Sequence, residues 1–377
     1  MIRRPPRSTL DRSSAASDVY KRQFQYRAFQ DFQNTEAEFS MVLLAENPSK
    51  LKEEIIQAQK SVSRCFEDGK DWQTPSGSFF TTKPLGQEKI AFVYPGGFNT
   101  YVGSGNSLFE MDPELHERSL SYSSKIKTLL HPEFLFPQSP SIQSEEELKQ
   151  LQQQFYDSPN PMFESGISSA VLATQVMRNA FGIEPHAAFG YSMGEVSMLF
   201  SLGVWGSMDP MSEVLNASPL FHERIAGPMN SVREYWKLKD TDFQNESLWN
   251  WYTLRAEPEL VAKALEKRER VYLVLINTPQ EVVIAGEPSA CKELIEELQC
   301  ESHEIPVTDV VHCPPVQSEY EEIKKVHTNK VVDKPKIDFF SAADYATTSL
   351  NSEILADNIA RFYGRTVDFS KLVEEVY

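Results

Sequence analysis

The chain lacks a membrane-spanning run. No apolar stretch reaches the roughly 18 to 20 residues a bilayer requires. The longest mostly apolar one, 193–205, is broken by Gly194, Glu195 and Gly203. Positive charge is in short supply: 37 Lys and Arg stand against 54 Asp and Glu, a formal net charge of −17. That balance repels phosphate backbones and argues against a nucleic-acid partner. Cysteine is sparse, and Cys65, Cys291, Cys300 and Cys313 form no CxxC pair. A chain this long needs no disulfide staples, so free thiols in a reducing, cytoplasmic setting are expected. The seven histidines show no zinc-ligand spacing, so no metal is expected. No internal repeat or heptad pattern is visible. The chain has 377 residues, 41% of them hydrophobic, enough for one large domain or two modest ones.

The ends read differently from the middle. Residues 1–23, MIRRPPRSTLDRSSAASDVYKRQ, look like translated adapter sequence rather than protein. Richness in Arg and Ser also fits a transit peptide, which leaves organellar import open. At the other end VDFSKLVEEVY reads as an amphipathic helix that stops at Tyr377 with no C-terminal cap. A fragment cut at both ends is expected.

Between the ends the pattern is mixed α and β. Residues 39–45 (FSMVLLA) read as a strand, followed by a helix, LKEEIIQAQKSVSRCF, that Asn47 or Ser49 can cap. The polar stretch 68–87 reads as a linker. Residues 90–94 (IAFVY) form a short apolar run before Pro95-Gly96-Gly97, as in a buried parallel strand feeding a loop. Residues 132–160 read as a surface insertion with one short helix, and 162–181 as an apolar helix. A strand at 187–190 runs into GYSMGEVSMLFSLG, a tight turn and a helix starting at the serine. Over 251–307 the order is β-α-β-β-α-β, the ferredoxin-like signature. The expected fold is α/β, a large α/β-hydrolase-like domain with a parallel sheet and an inserted ferredoxin-like small domain.

Three places carry chemistry. Gly190-Tyr191-Ser192-Met193-Gly194 is a G-x-S-x-G elbow in a strand–turn–helix setting. Glycines there tolerate the strained backbone that lifts the serine from the turn, and the helix N-terminus faces the reacting oxygen. A plain strand–helix turn with a capping serine is the other reading. A serine nucleophile needs a base, and the candidate is His312, at a strand-to-loop boundary before Pro314-Pro315. The bare residues leave it competing with a structural role and with His116, His131, His186, His222, His303 and His327. Backbone amides in Tyr94-Pro95-Gly96-Gly97-Phe98-Asn99 can meet the Met193 amide as an oxyanion hole, although Gly-Gly after a strand is usually only a turn.

In their order these landmarks resemble the malonyl-CoA:acyl carrier protein transacylase family, the acyltransferase domains of fatty acid and polyketide synthases. FVYPGGFNTYVGSG stands where the family has an FPGQGSQ-like loop, and GYSMGE where it has GHSxGE. INTPQEVVIAG is similar to its Asn-x-Pro hairpin, IPVTDVVHC to its histidine segment, and GRTVDFSKLVE to its late N-x-V-x-F segment. The likeness spans residues 89–377. The chain more closely resembles the acyltransferase regions of polyunsaturated fatty acid synthases, through Phe98-Asn99, Tyr191 and ASPLFHERIAGPM. Residues 24–88 then resemble the linker between a ketosynthase and an acyltransferase.

The resemblance implies a transacylase that uses no bound cofactor. Its substrates would be a coenzyme A thioester and the phosphopantetheine of an acyl carrier protein, with other synthase domains as partners. Ser192 would be the nucleophile, His312 the base, and the Gly97 and Met193 amides the oxyanion hole. A backbone carbonyl near 364–367 would orient His312. The family's malonyl enzymes carry an arginine about 25 residues after the serine, where this chain has Ala217; Arg224, seven residues on, is the candidate substitute for binding the substrate. Malonyl or another short or fatty acyl group is therefore the expected cargo. A serine thioesterase or hydrolase remains the alternative. It needs Ser, then Asp or Glu, then His, with Asp240 or Asp242 available. A non-catalytic docking domain is a third reading.

Overall fold

The computed structural model describes residues 37–84, 88–104, 108, 114–115, 117, 122–123, 131–135, 144–239, 242–243, 247–307 and 309–377. Residues 1–23 and 24–36, His116, Asp240 and the centre of the 132–160 insertion therefore lie outside the described residues. The chain divides at Glu88 and Lys89 into two compact units.

The first unit holds helix α1 (Pro48–Asp68) and three short strands, β1 (Met41–Val42), β2 (Trp72–Gln73) and β3 (Phe79–Phe80). Asn47 caps α1 by accepting from the Lys50 N–H at 3.0 Å, and Gly69 ends it in a left-handed conformation, φ 67°. The strands pair antiparallel in the order β1-β3-β2. Part of the stretch read as a linker is thus sheet. Phe80 is buried and packs with Phe39 and Phe66, while Phe79 is exposed.

The second unit contains two sheets. One has four strands in the order β11-β10-β5-β4, where β4 is Ala91–Tyr94, β5 Ala187–Gly190, β10 Asp338–Ser341 and β11 Ala346–Thr347. β4, β5 and β10 run parallel, and β11 folds back antiparallel on β10. Helix α2 (Pro159–Gln175), prolonged by a wider turn over Val176–Ala180, packs with α3 (Gly194–Ser201). Nearly every residue of these two helices is buried, as apolar runs without a polar face require. Their core includes Ile167, Leu172, Leu199, Phe200 and Trp205.

The other sheet is built from β6 (Asn250–Leu254), α4 (Pro258–Leu265), β7 (Val271–Thr278), β8 (Glu281–Gly286), α5 (Pro288–Leu298) and β9 (Ser302–Ile305). Its order is β12-β7-β8-β6-β9, so the four consecutive strands lie in ferredoxin-like arrangement. β12 (Val367–Asp368) adds a parallel fifth strand on β7. It comes from beyond the 251–307 stretch, after helix α6 (Ser352–Tyr363), and so ties the end of the chain into the small sheet. Helix α7 (Phe369–Val376) follows, capped by Asp368, which accepts from the Lys371 N–H at 2.9 Å.

Candidate active site

β4 and β5 are neighbours in register, with Tyr94 opposite Gly190. Their C-terminal ends stop at one level, the edge where open α/β sheets bind ligands. The glycine loop leaves β4 there and the serine turn leaves β5. The Tyr191 N–H donates to the Tyr94 carbonyl at 2.9 Å, drawing the two together. A Cβ on Gly194 would lie 2.1 Å from the Tyr94 carbonyl oxygen, and one on Gly190 2.1 Å from the Glu195 nitrogen. Both glycines serve close approach. The left-handed backbone belongs to Ser192 itself, φ 55°, which is why the helix starts at Gly194 and not at the serine. Such a conformation costs a non-glycine residue about 1–3 kcal/mol and persists only where the surroundings impose it.

Ser192 meets His312. The serine Oγ lies 2.7 Å from His312 Nε2, and His312 Nδ1 lies 3.0 Å from the Phe362 carbonyl oxygen. A carbonyl only accepts, so Nδ1 carries the proton and Nε2 is the bare nitrogen that accepts from the serine hydroxyl. The His312 N–H donates to the Tyr363 carbonyl at 2.6 Å. Two successive carbonyls at the end of α6 therefore hold both the backbone and the ring of His312. The orienting carbonyl is two residues earlier than the 364–367 stretch expected for it. His312 is 1% exposed, and burial pushes its pKa down to about 4, with the Phe362 contact acting weakly against this. The imidazole is neutral at physiological pH.

The other described histidines are engaged elsewhere. His131 contacts Glu133 and Glu164, His186 accepts from the Ile90 N–H, and His222 contacts Asn160. His303 pairs with Glu301, and His327 Nδ1 faces the Ile323 carbonyl. No carboxylate takes the place of the Phe362 carbonyl at His312 Nδ1. Asp242 accepts from the Lys239 N–H instead, so the Ser–Asp–His order of a hydrolase triad is not assembled from it.

Beside the pair lies a cavity of about 200 Å³. Ser192, Met193, Gly97 and Phe98 line it from the parallel sheet, and Trp251, Leu275, Asn277 and Val283 from the ferredoxin-like sheet. Among the described residues neither the Gly97 nor the Met193 N–H is taken by a backbone carbonyl in the loop hydrogen bonds. Gly97 and Met193 line the cavity together with Ser192.

The same chain matches known proteins. It is 30% identical over 349 residues to one of the subunits of the polyunsaturated fatty acid synthase of Thraustochytrium sp., a match that covers 89% of this chain and 17% of that protein. It superposes on the acyltransferase domain from module 8 of the salinomycin polyketide synthase with a TM-score of 0.63, at 18% identity, covering 95% of this chain and 79% of that one. It also superposes on a malonyl-transacylase solved in complex with a type II polyketide synthase acyl carrier protein, with a TM-score of 0.57 at 18% identity over 77% of this chain and 85% of that one. No protein-family model matches the chain. Its fold is that of the acyltransferase domains of polyketide synthases, and the chain spans less than a fifth of the polyunsaturated fatty acid synthase subunit it is similar to.

Within this acyltransferase fold, the residue expected to replace the missing arginine does not reach the site. Arg224 is absent from the cavity lining. Its guanidinium donates to Glu234 at 2.6 and 2.8 Å and to Glu319 at 2.7 and 3.1 Å. Glu319 is itself buried, and pulling Arg224 away would leave that carboxylate unpaired. Ala217 ends a helix, Asp209–Ala217, on an exposed position outside the cavity.

The site also contains residues that spacing did not mark. Tyr191 donates from its hydroxyl to Asn277 Oδ1 at 2.7 Å, and Asn277 donates to Glu281 at 2.9 Å. The INTPQ motif held this signal, but not its partner. Phe98 lines the cavity with a left-handed backbone, φ 61°, at the loop position after Gly97. Glu195 is 3% exposed and accepts from the Ala342 N–H at 2.5 Å and the Ser341 hydroxyl at 2.9 Å. Burial pushes its pKa up to about 8, against the pull of those two donors. It anchors the first turn of α3 to the end of β10. Among the described residues no cluster of three His, Cys, Asp or Glu side chains is placed to hold a metal. The described cysteines are free. No described helix is long and apolar enough to cross a membrane.

Proposed function

We propose that this chain is an acyl-CoA:acyl carrier protein transacylase that works through an acyl ester on Ser192. The observation that supports it most directly is the 2.7 Å contact from Ser192 Oγ to a buried, neutral His312 whose other nitrogen is held by the Phe362 carbonyl. In the first half-reaction, Oγ attacks the thioester carbon while His312 Nε2 takes its proton. The carbonyl oxygen becomes an oxyanion facing the Gly97 and Met193 N–H groups. Losing one such donor typically costs about 10²- to 10³-fold in rate. Collapse breaks the C–S bond, and the imidazolium returns the proton to the departing thiolate of coenzyme A. In the second half, the phosphopantetheine thiol gives its proton to Nε2 and attacks the ester. The Ser192–acyl bond then breaks, and Oγ recovers the proton.

A backbone carbonyl suits this cycle. It fixes the tautomer and stabilises the transient imidazolium without adding a buried charge. The carrier protein and neighbouring synthase domains enter the proposal through the relatives. One solved relative is a complex with an acyl carrier protein, and this chain spans only 17% of its polyunsaturated fatty acid synthase relative.

The test is intact-protein mass spectrometry after incubation with acyl-CoA donors, followed by addition of a holo acyl carrier protein. An adduct that needs Ser192 and moves onto the carrier thiol is the expected result. Free acid in place of acylated carrier would make the protein a hydrolase.

A further inference from the structure

Among its described lining residues, the cavity beside Ser192 offers no cation to neutralise a second carboxylate. Its described lining contains no lysine and no arginine. Its phenols, Tyr191 and Tyr363, have their pKa values raised mainly by burial, and its imidazole, His312, is held neutral. Asp309 is also among the residues of the wall. Elsewhere the surface is apolar, with Met162, Phe163 and Phe221 on one side and Leu275, Val283 and Ile305 on the other. Arg224, the arginine that spacing offered as a substitute, is engaged by Glu234 and Glu319.

We infer that the acyl group carried on Ser192 is an uncharged aliphatic chain, and that a dicarboxylic group such as malonyl is rejected. This rests on the acyl-serine reading above. A malonyl group would have to bring its free carboxylate out of water against a mostly apolar wall whose described residues include no lysine or arginine. Leaving a charge unpaired in such a place corresponds to about 30-fold or more in discrimination. An aliphatic chain meets only the walls that already suit it. Both sides of the cavity are apolar, so octanoyl, an uncharged aliphatic acyl group, is a suitable probe.

The experiment compares donors on the wild-type chain. Octanoyl-CoA and malonyl-CoA are supplied separately at equal concentration, and ester formation is followed by intact mass over time, with Ser192→Ala as the control. Octanoyl ester forming at least about 30-fold faster than malonyl ester is the expected result. Malonyl ester forming as fast or faster overturns the inference and leaves the transacylase standing. Folded protein that takes no ester from either donor overturns both.

Discussion

The Tyr191 hydroxyl and Asn277 Oδ1 lie 2.7 Å apart, and this bond joins the serine turn of the parallel sheet to the β7–β8 hairpin of the ferredoxin-like sheet. Tyr191 also packs edge-on against Phe369, which follows the added strand β12, with ring centroids 4.9 Å apart. One side chain next to Ser192 thus touches both the hairpin and the segment after β12. Tyr191→Phe keeps the ring packing and removes the bond. A hydrogen bond of this kind is worth about 0.5–1.5 kcal/mol, so acylation of Ser192 should slow by about 2- to 12-fold. Asn277→Ala should cost a similar factor, and the double variant no more than the larger single effect. Fully additive losses in that cycle would separate the two residues.

His312→Ala should lower the acylation rate by about 10²- to 10⁴-fold, the usual contribution of a positioned base. The readout is single-turnover release of coenzyme A, with circular dichroism to confirm the fold. A loss under tenfold would mean that the serine proton leaves by another route.

The acid limb of activity should lie well below that of an ordinary histidine. Burial takes His312 down to about 4, so the base stays unprotonated from pH 8 to near pH 5. The sign for stability follows from the same shift. The folded pKa is below the unfolded value of about 6.5, so the unfolded chain binds the extra proton between those values. Stability contributed at neutral pH is lost as pH falls from about 6.5 towards 4. His327, also buried and pushed down to about 4, acts in the same direction. Chemical denaturation at pH 7.5, 6 and 5 should give steadily falling stability. An activity midpoint near 6.5 in protein that remains folded would contradict the burial of His312.

Gly194→Ala should disable the serine turn. The new Cβ would sit 2.1 Å from the Tyr94 carbonyl oxygen, a backbone atom, so β4 and β5 must separate. Misplacement of a reacting group by about 1 Å can cost on the order of 10²-fold. Labelling of Ser192 by a fluorophosphonate should slow by that factor. Labelling at the wild-type rate would show that the turn does not need the close approach.

Much of this site can be read in the chain itself. The elbow is legible because Gly-x-Ser-x-Gly between an apolar strand and an apolar helix is a local pattern, and the backbone geometry it demands is local too. The ferredoxin-like unit is legible for the same reason, since its β-α-β-β-α-β rhythm repeats short-range periodicities. The loop after β4 and the serine turn were each visible. Their adjacency depends on β4 pairing with β5 across almost a hundred residues of chain.

The chain's local pattern marked Ser192 on an elbow, with His312 as a candidate partner further along. Local pattern also marked the two α/β stretches whose residues line the cavity. Tertiary structure decided which histidine, because only His312 lies 2.7 Å from Ser192 among the described residues, across 120 positions of chain. It decided the orienting group, the Phe362 carbonyl, since backbone acceptors leave no mark in a side-chain pattern. It also decided the fate of Arg224. Spacing placed a cation near the expected substrate position, but its geometry gives that charge to Glu234 and Glu319. Periodicity and capping act within a few residues, so they are written in the sequence. Charge pairing and cavity lining act between segments far apart in the chain, so they exist only once it has folded.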